Sequence, residues 1–127
     1  MAAYHETALL YNLKDTDIGR QLKLILIKMK VRIRMVEASQ YLQPIGFLAG
    51  IKDMEGSESV FQETGFSEPM LLLHGFGDSR LDLLLQCMRR KKIRIPLKAV
   101  ITPENKSWNS LQLYKELCRE HEAMKSL

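Results

Sequence analysis

The residue types best suited to chemistry stand just behind an apolar run, where His74-Gly75-Phe76-Gly77 follows Leu72-Leu73. A strand ending in His-Gly is the turn that lends backbone amides to an oxyanion hole in hydrolytic enzymes, where N–H donors stabilise developing negative charge. The partners of such a hole are missing: there is no G-x-S-x-G nucleophile elbow, and only His121 follows in the chain as a base. Without a nucleophile–base pair the turn reads as structure, with Gly75 and Gly77 allowing a tight strand-to-helix connection. Gly75-x-Gly77 also lacks the third glycine of a dinucleotide fingerprint, and Asp78 would repel a phosphate placed there.

Two further groupings carry chemical potential. Cys118 and His121 lie at i, i+3 on one helix face and amount to half of a metal site; no second pair has ligand spacing, so neither a metal nor a cofactor is implied. The cations gather in two places, Lys28, Lys30, Arg32 and Arg34, then Arg89, Arg90, Lys91, Lys92 and Arg94, within a net charge of +4. Each cluster straddles the end of a helical pattern, where positive charge complements the macrodipole. The functional alternative is an anionic partner such as RNA gripped by two basic rims, with Arg89 to Arg94 as the anion-binding candidate. Aromatic residues interleaved with the cations, which single-stranded nucleic acid favours, are absent from both clusters.

Elements that could position these groups follow from periodicity. Ala8-Leu9-Leu10-Tyr11 and Met70-Leu71-Leu72-Leu73 are continuously apolar, as in strands covered on both faces, and are expected at the centre of a sheet. Val31, Ile33 and Met35 alternate with Arg32 and Arg34, while Ile95, Leu97, Ala99 and Ile101 alternate with Arg94, Pro96 and Lys98; these are expected at the edges. One helix, capped by Asp15 or Thr16, carries Ile18, Leu22, Ile25, Leu26 and Met29, and another, capped by Asp78 or Ser79, carries Leu81, Leu84, Leu85 and Met88. A short helix over Tyr41 to Gly50 and a longer one from Trp108 to Met124 complete the set.

The phrase strand–helix–strand–helix therefore occurs twice. Asn12, Leu13, Asp15, Ile18, Leu22 and Ile25 stay in constant register with Gly75, Phe76, Asp78, Leu81, Leu85 and Met88, and after one deletion Val31 and Ile33 meet Ile93 and Ile95. The expected fold is α/β, a tandem βαβα repeat forming a four-stranded, mainly parallel sheet of order 2-1-3-4 with flanking helices; a ferredoxin-like α+β sheet also fits the burial pattern. The repeats span about 5–51 and 69–127, joined by a linker over 52–68 whose Glu, Ser and Gly content suits partial disorder. At 127 residues, 46% hydrophobic, the chain can bury one core, so a single domain over 1–127 is expected.

Segment chemistry also bears on location. Met1-Ala2-Ala3-Tyr4-His5-Glu6 has no basic region followed by an apolar run, and no apolar stretch approaches the ~20 residues of a membrane span. Cys87 and Cys118 lack framework spacing. A cytoplasmic protein with free thiols and no membrane contact is expected.

Residues Lys98-Ala99-Val100-Ile101-Thr102-Pro103-Glu104-Asn105-Lys106-Ser107-Trp108, preceded by Gly75-Phe76 and a leucine-rich helix, resemble the bacterial family catalogued as domain of unknown function 3783 over about Pro69 to Glu120. The resemblance implies a small α/β domain with no assigned activity, so it carries over no catalytic residue. Strand carboxyl ends form the usual crevice of a parallel sheet, which would set His74, Gly75 and Phe76 opposite Thr102, Asn105 and Trp108, with Lys98 nearby. The first half has only Ala38-Ser39-Gln40-Tyr41 at the corresponding place. The expected function is non-catalytic: a module that binds or regulates a small molecule, a partner protein or a second copy, the last through Leu24 and Ile27 off the core face of the first helix. An RNA-associated protein and a small enzyme using His74, Lys98 and Asn105 are the alternatives.

Overall fold

Two strands buried on both faces anchor the architecture. In the computed structural model, which describes residues 6–125, β1 (Thr7–Tyr11) is buried throughout and β3 (Met70–His74) is buried up to its last residue. Residues 1–5, read above for a leader, and the outermost ends of the two expected repeats lie outside the described residues. β1 pairs in parallel with β2 (Arg32–Val36), and β3 pairs in parallel with β4 (Leu97–Val100). The order is β2-β1-β3-β4, with the continuous strands inside and the alternating ones at the edges, as their patterns require.

Two of the three pairings are parallel, as in the mainly parallel sheet expected, and the middle one is not. β1 and β3 run antiparallel, with Leu9 opposite Leu72, Thr7 opposite His74 and Tyr11 opposite Met70. The sheet is therefore mixed, and each parallel pair points its carboxyl ends at the opposite end of the sheet from the other. Burial on both faces is the same for a parallel or antiparallel neighbour, so the apolar runs carried no information on direction.

Strand alternation then divides the core into two layers. Ala8, Leu10, Leu71 and Leu73 face helices α1 (Asp17–Lys28) and α3 (Asp78–Arg90), which contribute Leu22, Ile25, Leu26, Leu84 and Met88. Leu9, Tyr11, Met70 and Leu72 face the other way, towards the short helix α2 (Ile45–Leu48) and α4 (Ser110–Lys125), with Tyr41, Ile45, Leu48 and Leu113 buried between. The expected helix over Tyr41 to Gly50 is shortened to the single turn of α2, which starts after Pro44 as its N-cap, and a separate 3-10 turn at Ala38–Gln40 precedes it. Leu24 and Ile27 are about three-fifths exposed, off the core face as expected.

Helix ends differ in how they are closed. Thr16 caps α1 by accepting the Gly19 N–H at 2.9 Å, whereas α3 starts from Gly77 with no side-chain cap, and Asp78 is its first residue and not its cap. Both helices stop at a lysine in the left-handed region, Lys30 (φ 61) and Lys92 (φ 58). The following N–H then reaches back into the last turn, Val31 to Leu26 at 3.0 Å and Ile93 to Met88 at 2.9 Å.

Long-range polar contacts lock the layers together. Glu6, 5% exposed, accepts the Arg80 Nε at 2.9 Å, and the same guanidinium reaches the carbonyl of Met29 at the end of α1. Opposite them, Ile45 N–H donates to Trp108 O at 2.8 Å, Ser110 N–H to Tyr41 O at 3.1 Å, and Tyr11 Oη lies 2.6 Å from Ser110 Oγ in a buried hydrogen bond. The 52–68 interval has no helix or strand and is mostly exposed, but Phe66 within it is buried among Tyr11, Tyr41 and Tyr114, with a ring-centroid separation of 4.0 Å to Tyr114. Asn12 Nδ2 holds the carbonyls of Phe66 and Glu68 at 2.9 Å each.

Removing one side of a largely buried ion pair strands the other charge, so Arg80→Ala should lower unfolding stability by about 2–3 kcal/mol in urea titrations. Arg20→Ala, which breaks the exposed pair with Asp17, should change it by less than about 0.5 kcal/mol. Equal effects from the two would remove Glu6–Arg80 as an organising contact.

Candidate functional site

β3 ends in a turn that needs glycine at one position only. Gly75 has φ 85, a left-handed conformation, while Gly77 caps α3 at φ −76 with open space around it. His74, last in β3, lies on the same sheet face as Leu72 and directly across from Thr7. Its Nδ1 is buried and has no hydrogen-bond partner among the described residues. Burial, and then the charge of Arg32, hold its pKa below the ordinary 6.5, so the neutral ring is favoured.

After β4 the chain makes a self-bonded turn. Asn105 Oδ1 accepts the Thr102 N–H at 2.8 Å, Thr102 Oγ1 accepts the Asn105 N–H at 3.2 Å, and Asn105 Nδ2 donates to Val100 O at 3.2 Å. This turn delivers Trp108 to the start of α4, where its carbonyl is held by α2. Thr102, Asn105 and Trp108 share a cleft of about 330 Å³ with Ala99, Leu113 and Leu117, and Glu104, Glu116 and Glu120 also line it.

Thus Thr102, Asn105 and Trp108 line one cleft, and the other four candidates do not join them. His74 and Gly75 end the neighbouring strand and do not line the cleft. Phe76 packs into the α1/α3 layer on the other side of the sheet. Lys98 alternates with Leu97 and Ala99, so it also faces away; its Nζ donates to Ile95 O at 2.6 Å, and burial lowers its pKa from the ordinary 10.5. Arg89, Lys92 and Arg94 border a separate depression of about 370 Å³ beyond α3, with Arg90 and Lys91 exposed beside it.

Two features of these sites were not read from the sequence. The acidic lining of the Trp108 cleft comes largely from Glu116 and Glu120, one turn apart on α4, and an i, i+4 acidic pair facing a tryptophan was available as a signal. At the far edge Thr7, Arg32, Arg34, Leu48 and Gly50 border a pocket of about 380 Å³, and only Arg32 and Arg34 had been singled out. Cys118 and His121 do share a cavity, of about 280 Å³, with Glu68 and Glu122. There Tyr114 Oη donates to Glu68 Oε2 at 2.7 Å, which holds that carboxyl below its usual range. Among the described residues no group of three or more His, Cys, Asp or Glu is placed to hold a metal ion. Among them, too, no helix is long and apolar enough to cross a membrane.

Residues 69–124 match the model of a family described as a domain of unknown function, DUF3783, which covers β3 through nearly all of α4. The resemblance expected over about 69–120 is therefore present and slightly longer. Neither a curated protein nor a solved structure matches the chain.

His74 gives this region a pH signature. Because its folded pKa is depressed, the unfolded chain binds the proton first as pH falls through about 6.5, so the stability held above that value drains away below it. His74→Gln should flatten the loss of unfolding free energy between about pH 7.5 and about pH 5.5 relative to the parent protein. Parallel curves would show that His74 titrates as it does in an unfolded chain.

Proposed function

We propose that this is a cytoplasmic, non-catalytic docking module whose Trp108 cleft takes a cationic segment of a partner protein. The observation that carries the reading is the composition of the cleft: a half-buried indole and the apolar side chains of Ala99, Leu113 and Leu117, beside the carboxylates of Glu104, Glu116 and Glu120. An arginine or lysine laid over the indole gains a cation–π contact of about 0.5–1 kcal/mol at a partly exposed site, and Glu104 and Glu120 supply its counter-charge, Glu116 being already paired with Arg119. An apolar neighbour in the peptide covers Leu113 and Leu117. Binding is favoured over turnover because Thr102 and Asn105 spend their polar atoms on each other and on Val100, which leaves no activated nucleophile in the cleft.

We further infer that β1 to α2 and β3 to α4 are two copies of one βαβα unit, of which the second has acquired the cleft. Support comes from backbone positions that the sequence register equates. Leu9 and Leu72 face each other at the centre of the antiparallel pair. Asn12 and Gly75 are both left-handed after their strands, as are Lys30 and Lys92 after their helices.

Trp108 is the single tryptophan, so its emission reports on the cleft without labelling. A short Lys/Leu peptide should shift and partly quench that emission, more weakly as salt rises, while an acidic peptide of the same length should leave it unchanged. Glu120→Gln should weaken the cationic peptide about two- to fivefold. Indifference to both peptides, or equal response to both, would rule out this cleft as a cation-selective dock.

A further inference from the structure

We infer that the pocket between β2 and α2, at the opposite edge of the sheet from the Trp108 cleft, binds the phosphate group of a small phosphorylated ligand through Arg32 and Arg34. The two arginines alternate with Ile33, so both side chains leave the same face of the edge strand, the face that α2 covers. Together with Thr7, Leu48 and Gly50 they border a space of about 380 Å³. That is at the small end of the range of about 300–1,000 Å³ typical of ligand pockets, which suits a metabolite-sized molecule.

Arg32 is held in place without being neutralised. Its Nε and Nη2 donate to Thr7 Oγ1 at 3.3 and 3.0 Å, and Nη2 also reaches Ala49 O at 3.4 Å. Thr7 is itself buried, so the hydroxyl that receives these bonds is fixed by the sheet. Gly50 keeps the space that the guanidinium fills: a Cβ there would stand 3.2 Å from Nη2, on a backbone already at φ +82. Elsewhere Arg20, Arg80 and Arg119 each have a carboxylate partner. Among the described residues, Arg32 and Arg34 have none, and of the arginines without one only Arg32 has its guanidinium tied down.

A positioned guanidinium with its two Nη1 hydrogens open, beside a second cation on the same strand face, fits a tetrahedral dianion better than a planar monoanion. One carboxylate is satisfied by one guanidinium, whereas a phosphate presents oxygens and charge enough for both. The basic rim beyond α3 lacks these constraints, since no hydrogen bond anchors Arg89, Lys92 or Arg94 among the described residues.

Backbone-amide chemical shifts test this, with inorganic phosphate, phenyl phosphate, benzoate and a single-stranded oligouridylate titrated at matched ionic strength. Phosphate and phenyl phosphate should move the amides of residues 32–34 and 49–50, phenyl phosphate more tightly than benzoate. Arg34→Ala and Arg32→Lys should each weaken phenyl phosphate about tenfold, the second because it keeps the charge and loses the guanidinium that Thr7 and Ala49 hold in place. Arg94→Ala should leave that affinity unchanged, and so should Glu120→Gln, which separates this site from the Trp108 cleft. The inference is overturned by shifts spread equally over 89–94, by benzoate binding as tightly as phenyl phosphate, by unchanged affinity in Arg34→Ala, or by binding only of a single-stranded oligouridylate.

Discussion

The antiparallel contact between β1 and β3 governs nearly everything else in the molecule. It sits at the centre of the sheet with Leu9, Leu10, Leu71 and Leu72 fully buried, each contributing roughly 2 kcal/mol by leaving water. By turning the second strand pair against the first, it brings the end of β3 alongside the beginnings of β1 and β2. His74, Thr7 and Arg32 therefore fall in one row across three strands. In an all-parallel sheet His74 would have stood beside Tyr11 and Val36, among apolar and aromatic groups, and the charge that depresses its pKa would be a strand length away.

Much of the architecture was legible because it rests on burial. Continuous apolar runs placed β1 and β3 inside, alternation placed β2 and β4 outside, and helical spacing located the α1 and α3 residues that do pack on the sheet. The direction of the central β1/β3 pairing was not legible, since a leucine covered on both faces is indifferent to the polarity of its neighbour. Helix ends were legible only in part: Thr16 is an ordinary cap, but lysines in left-handed conformations at 30 and 92 stand where glycine is the usual signal. The candidate site divides for the same reason. Thr102, Asn105 and Trp108 belong to one local turn and stayed together, whereas Phe76 and Lys98 depend on which face of the sheet they meet, and both went to the other side.

Charge is distributed in a way the net value of +4 conceals. The β2 edge presents two guanidiniums without a carboxylate partner among the described residues, while three carboxylates, one of them paired with Arg119, gather beside β4 around the one tryptophan. Since β2 and β4 are the outer strands of one sheet, the two sites lie a full sheet width apart, and neither ligand need displace the other. Hydrogen bonds from Ile45 to Trp108 and from Ser110 to Tyr41 run between the halves, so the backbone that carries one site also braces the other.

Those cross-bonds bear on how the molecule comes apart. A half consisting of β3, α3, β4 and α4 would have a two-stranded sheet whose inner strand is an open edge of buried leucines, and Ser110 would lose both Tyr11 and Tyr41. The half from β1 to α2 would be equally exposed and would also lose the Arg80 partner of Glu6. Neither half is a unit of melting, and a proteolytic nick in the 52–68 interval would leave two fragments still clasped in one cooperative body.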